Sequence, residues 1–163
     1  MEALLEVLER ELMLAGRHSA MGPPGSACGP RALERSAYVL LSRLETEGPM
    51  SNGELAHAFR LDASTVHRQT GAMMRSGLVR RIPDPDGGMA RKFSMTDEGA
   101  RRLAEDRSRI RDGLAAALDG WTSKDIGRLT EMLTRFNASI EERDERPWPR
   151  AASGRERASA GGG

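Results

Sequence analysis

At 163 residues, 38% apolar and 30% charged, the chain is long enough for one hydrophobic core but too polar to bury every helix it encodes. A net charge of +1 means that no partner can be read from bulk charge, so any electrostatic contact must come from a local patch. One cysteine, Cys28, excludes an internal disulfide and a cysteine-based zinc site, and no apolar run approaches the roughly 18 residues a membrane span needs.

From Glu2 to about Gly16, Leu5, Leu8, Leu12 and Ala15 recur at three- and four-residue steps, which predicts an amphipathic helix. Four Glu against one Arg between Met1 and Ala15 make its polar face unsuited to DNA. The same stretch lacks the basic start and long apolar run of a signal peptide, so a cytoplasmic setting is expected. Met21 to Pro30, with three Pro and three Gly, reads as a loop. Arg31 to Glu47 is helical again, with Ala37, Leu40, Leu41 and Leu44 inward, and Gly48-Pro49 stops it.

Ser51-x-x-Glu54 is a capping box, and the short helix behind it should bury Leu55, Ala58 and Phe59. Arg60-Leu61 makes a turn where the chain often takes positive φ, which costs a non-glycine residue about 1 kcal/mol. Asp62 then caps a second helix. Val66, Thr70 and Met73 face inward, leaving Ser64, Thr65, His67, Arg68 and Gly71 outward, and Gly77 signals the end. Arg80 to Met95 reads as two short strands around a Pro-Asp-Pro-Asp-Gly-Gly tip, with Ile82, Phe93 and Met95 inward and Arg80, Arg81, Arg91 and Lys92 making it basic. Between Arg60 and Lys92 seven basic residues face three acidic ones, a local balance of +4.

Helix, turn, helix and basic hairpin outline a winged helix-turn-helix, whose second helix enters the DNA major groove. The residues expected to meet double-stranded DNA are Ser64, Thr65, His67, Arg68, Arg75, Arg91 and Lys92. Arg68 leads, because a guanidinium can read guanine with two hydrogen bonds. Ser64 and Thr65 lie at a helix N-terminus, where hydroxyls and amides meet phosphate, although one of them could instead support the cap.

Thr96 caps a long helix, Asp97 to about Leu118, with a sparse seam of Leu103, Ile110 and Leu114. After Gly120-Trp121, Thr122 opens a last helix carrying Ile126, Leu129, Leu133, Phe136 and Ile140 at alternating steps of three and four. A small winged-helix core cannot bury these seams together with the N-terminal helix, so a partner subunit is expected. From Glu145 periodicity stops and disorder is expected, with Pro147-Trp148-Pro149 able to dock locally. The layout is mostly α with a small β-hairpin wing. N-terminal dimerisation and scaffold helices span 1–47, the winged helix-turn-helix 48–96, C-terminal dimerisation helices 97–143 and a tail 144–163.

Other chemistries fit less well. Asp62, Ser64 and His67 share one helix and suit capping and DNA contact better than a catalytic triad, so an enzyme is not expected. His18, His57 and His67 are far apart with no ligand-spaced partner, which argues against a metal, and nothing calls for a cofactor. Two alternatives stay open: a winged helix used for protein contact without DNA, and a redox-sensing regulator acting through Cys28.

The segments SNGELAHAF, LDASTVHRQTGAMMRSGLVRR and DPDGGMARKFSMTDEG, in that order, resemble the MarR family of bacterial transcriptional regulators. With the flanking helices, the resemblance covers about Glu2 to Glu142. It implies a homodimer joined by the N- and C-terminal helices and binding a palindromic operator; a repressor is the expected role. It also implies a small aromatic or phenolic effector in a cleft beside the DNA-binding lobe, for which His18, Tyr38 and Trp121 are the nearest polar aromatics. The chain departs from the family pattern in its Gly/Pro-rich loop, Met21 to Pro30, which places Cys28 outside the first helix, and in two single positions. Arg60 stands at the usual turn Gly, and Met89 stands where many members carry a wing-tip Arg.

Overall fold

A computed structural model of the chain describes residues 1–17 and 33–150. In order these form α1 (Glu2–Arg17), α2 (Arg35–Glu47), β1 (Met50–Ser51), α3 (Asn52–Phe59), α4 (Ala63–Arg75), β2 (Val79–Pro83), β3 (Arg91–Met95), α5 (Asp97–Ala117) and α6 (Ser123–Arg143). The Gly/Pro-rich loop with Cys28, and His18 beside it, lie outside the described residues. The helix expected from Arg31 begins later, at Arg35, because Glu34 is its extended N-cap; Arg31 and Ala32 lie outside the described residues.

Caps written into the sequence start four helices. Ser51, Asp62, Thr96 and Thr122 each accept the backbone amide three residues on, at 3.2, 2.7, 3.0 and 3.2 Å. Glu54 returns a bond to the Ser51 amide at 2.6 Å, completing the capping box. Arg60 ends α3 in the left-handed region, φ 53° and ψ 39°, as expected of the turn. Gly77, φ 69°, follows the last residue of α4 by two positions.

The sheet has three antiparallel strands in the order β1-β3-β2. Arg81 and Met50 flank Phe93 on either side, and Pro83 sits opposite Arg91 at the open end of the wing. The sequence reading missed β1. Two residues carry no alternation, and Ser51 serves at once as strand end and helix cap.

The core lies between α2, the helix-turn-helix and the first half of α5. Leu40, Leu41, Leu55, Val66, Phe93 and Leu103 are the most deeply buried apolar side chains. Ala58 and Phe59 are only half-buried and pack on its edge. Gly99 is buried where α5 leaves the sheet. A Cβ there would lie 2.2 Å from the Leu78 carbonyl oxygen, so only glycine lets the helix approach this closely. Farther along α5, fully buried Asp106 accepts from the Leu33 amide at 2.9 Å and pairs with Arg109. A buried carboxylate needs such partners, and these tie the start of α2 to the long helix.

Outside this core the apolar side chains stay exposed. In α1, Leu5, Leu8 and Leu12 are exposed, and α6 buries no residue at all. The expected α6 seam is present as an open stripe of Ile126, Leu129, Leu133 and Phe136. Within the tail expected from residue 144, Asp144–Arg150 folds back on the protein, where local docking was expected of Pro147-Trp148-Pro149. Trp148 supplies the apolar area for this, its ring packing 6.2 Å from that of Phe59. Residues 151–163 lie outside the described residues. Among the described residues no helix is long and apolar enough to cross a membrane.

Candidate nucleic-acid interface

Helix α4 has two opposite faces. Val66, Thr70 and Met73 are buried, and at about 100° per residue their mean direction is opposite that of Ser64, Arg68 and Arg75. The latter three are exposed and fall within about 40° of one another. Gly71 lies on the same stripe, and Arg75 folds back over it, its Nη1 3.6 Å from where a Cβ would stand. The stripe therefore carries two guanidiniums with little bulk between them.

The other expected contacts on α4 sit differently. His67 is exposed but lies about 90° from the stripe, on one flank. Thr65 is half-buried on the other flank, and its hydroxyl donates to Asp62 at 2.7 Å. The Ser64 hydroxyl also donates to Asp62, through a very short bond. Both hydroxyls thus bond the capping Asp62, where one of them was expected to support the cap. These two hydroxyls, with the Thr65 amide, hold the Asp62 carboxyl far below the usual carboxylate range.

Helix α4 is aimed by a residue the sequence reading overlooked. Asn52, the first residue of α3, donates from Nδ2 to the carbonyl oxygen of Ala63 at 3.0 Å. It thereby links the first turns of the two helices. Only its place after the capping Ser could have marked it.

The wing separates two residues that looked alike. Arg91 is exposed at the open end of β3, as a phosphate contact requires. Lys92, also expected to meet DNA, stands in a different setting, paired within the protein. Its side chain is 12% exposed, and Nζ lies 3.0 Å from Asp84, 3.4 Å from Asp86 and 3.8 Å from Glu54. The bond to Asp84 raises the Lys92 pKa. Asp84 in turn is lowered, first by the Asp86 amide and then by Lys92. The cluster pins the wing to the cap of α3. On β2, Arg80 and Arg81 are exposed, and Arg81 lies over the Phe93 ring at 5.4 Å. Met89 at the tip is fully exposed, so no basic side chain occupies that place.

Of the residues expected to hold an effector, His18 lies outside the described residues. Tyr38 is half-buried against the core, and Trp121 is exposed in the turn between α5 and α6. Neither lines the cavities beside α4. One of these, about 440 Å³, lies between α2, α4 and α5 and is bordered by Ala37, Arg68, Gln69, Met73, Leu78 and Arg102. The second, about 400 Å³, lies between α2 and the turn and is bordered by Val39, Leu40, Phe59 and Leu61. Among the described residues no group of His, Cys, Asp or Glu is arranged to hold a metal.

Comparison with known proteins agrees with this architecture. The model of the MarR family matches residues 33–87. The HTH-type transcriptional regulator YxaD of Bacillus subtilis (strain 168) is 35% identical over 108 residues, covering 66% of this chain and 76% of that protein. A second, YybA from the same organism, is 24% identical over 125 residues, covering 77% and 81%. Among solved structures, a MarR family protein from Bacillus stearothermophilus superposes with a TM-score of 0.62 at 24% identity, over 85% of this chain and 91% of that one. A probable transcriptional regulator from Pseudomonas aeruginosa gives 0.56 at 23%, over 80% and 93%. At these identities the structural matches speak for the fold.

Proposed function

This chain belongs to the MarR family of transcriptional regulators, DNA-binding winged helix-turn-helix proteins that are not enzymes, and on that premise we propose that it is a cytoplasmic, homodimeric repressor of a palindromic operator. The observation that carries the reading is the outward stripe of α4, where Arg68 and Arg75 flank Gly71 on a firmly capped helix. Arg68 reads a base edge, while Arg75, Arg91 and the Ser64 end of the helix meet the backbone. His67 and Thr65 flank the contact and Lys92 supports the wing.

The open stripes on α1 and α6 supply the dimer interface, in keeping with dimerisation regions at 1–47 and 97–143 around a reading unit at 48–96. Large exposed apolar stripes of this kind favour burial against a second copy. Operator release follows when a small aromatic acid enters the cavity beside Arg68 and Gln69. Such a ligand would bind two arrangements of the reading helix unequally, which is what a switch requires. Repression is the sign that release by a ligand implies.

Arg68→Ala tests the reading. The variant should stay dimeric by size exclusion and lose specific operator affinity by roughly 30-fold or more in an anisotropy titration. Unchanged affinity would remove Arg68, and with it the stripe, from the interface. A protein-contact module would differ from both outcomes, because it would show no salt-dependent DNA binding at all.

A further inference from the structure

Helix α6 buries none of its own residues, yet the chain beyond it returns to the reading unit. The reversal is a Schellman turn: the Glu145 amide bonds Glu142 O at 3.2 Å and the Arg146 amide bonds Glu141 O at 3.0 Å. Glu145 sits at φ 54° without being glycine. The other described non-glycine residue with positive φ is Arg60, in the turn of the helix-turn-helix. The two turns are joined beside these positions, because Arg60 Nη1 lies 3.3 Å from Oδ2 of Asp144, the neighbour of Glu145.

The stretch that follows is held from both sides. Trp148 lies beneath the Arg43 guanidinium at 5.1 Å and beside Phe59, the last residue of α3. Arg43, itself clamped to Glu47 by two bonds, donates to Pro147 O at 3.3 Å. Glu141 on α6 accepts from the Trp148 amide at 3.2 Å and from both Arg150 nitrogens at 2.6 and 2.7 Å. One end of this network is on the helix with the open apolar stripe, and the other is on the turn that orients α4.

We propose that Asp144–Arg150 is a clasp that fixes the angle between α6 and the helix-turn-helix, and that Trp148 and Asp144 are positioning residues for operator reading. This rests on the DNA-reading dimer proposed above. In such a dimer the clasp sets the separation of the two α4 helices, and hence the half-site spacing the protein accepts. Its contribution is preorganisation: a fixed separation favours the matched operator and disfavours the others. No clasp residue needs to touch a phosphate for this.

The test uses the full-length chain and duplexes selected by the wild type from a randomised pool. Each duplex is then remade with the spacer between half-sites one base pair longer or shorter. The wild type is expected to prefer the matched spacer by about tenfold. Trp148→Ala should bind the matched duplex about threefold more weakly and lower that preference to about twofold. Its salt slope and its dimer peak should not change. Asp144→Asn, which leaves the tryptophan seated, should move the preference the same way by less, and it decides the matter if Trp148→Ala does not fold. A merely structural role would weaken binding at every spacing alike. An unchanged ratio between spacers in the folded variants therefore overturns the clasp and leaves DNA reading intact. A wild type that selects no duplex overturns the reading, and the clasp with it.

Discussion

Met89 stands in the open at the wing tip, where the family resemblance implies an arginine in many members. A thioether there adds no charge to the minor groove, so Met89→Arg should strengthen operator binding roughly threefold to tenfold and steepen the salt slope by about one phosphate contact. Lys92 gives the opposite expectation. Its charge is already matched by Asp84, Asp86 and Glu54, so Lys92→Ala should leave the salt slope unchanged while lowering the melting temperature. A slope lowered by about one would show instead that Lys92 leaves its cluster for phosphate. A count of basic residues finds the patch but cannot tell a free cation from a paired one. Asp84 and Asp86 are near in sequence, but Glu54 comes from another element. The Arg68–Arg75 stripe was legible because a helix has one period and the buried set fixed its phase. The commitment of Ser64 and Thr65 to Asp62 was only half legible, since the same hydroxyls suit a cap and a phosphate equally well.

Elements whose ends are written as caps were the easiest to read. Ser51, Asp62, Thr96 and Thr122 each begin the helix the sequence assigns to them. Strand β1 was not legible, since its pairing with Phe93 is a long-range event with no local mark. The start of α5 shows how tightly the wing and the long helix are joined. Thr96 donates its hydroxyl to Gly77 O at 2.6 Å, and the Thr96 amide bonds Leu78 O at 3.1 Å. Gly99 then passes against that same Leu78 carbonyl. Gly99→Ala would force the two apart, because the obstructing atom is backbone. A loss of about 1–3 kcal/mol is expected, read as a lower urea midpoint with an unchanged slope. A substitution tolerated without loss would mean that α5 slides along the sheet at little cost.

At the scale of the molecule, the polar composition and the heptad-like spacing in α6 pointed correctly to more apolar helix than one core can cover. The clasp was harder to foresee. Pro147-Trp148-Pro149 looked able to dock, but its receiving notch is assembled from Arg43 and Phe59 on separate helices. If the open stripe on α6 is the subunit interface, Leu133→Glu should shift the protein from dimer to monomer in sedimentation velocity. Operator binding should fall with it by more than tenfold, because one half-site alone holds weakly. A Leu133→Glu protein that sediments as the wild type would place the interface elsewhere. In the dimeric repressor proposed above, the same open stripe also acts in the cell rather than in the fold. A repressor that must pair before it reads occupies its operator, when scarce, in proportion to the square of its own abundance. Halving the supply of such a chain would cut occupancy about fourfold. Modest changes in synthesis or turnover could then open the controlled promoter with no effector present.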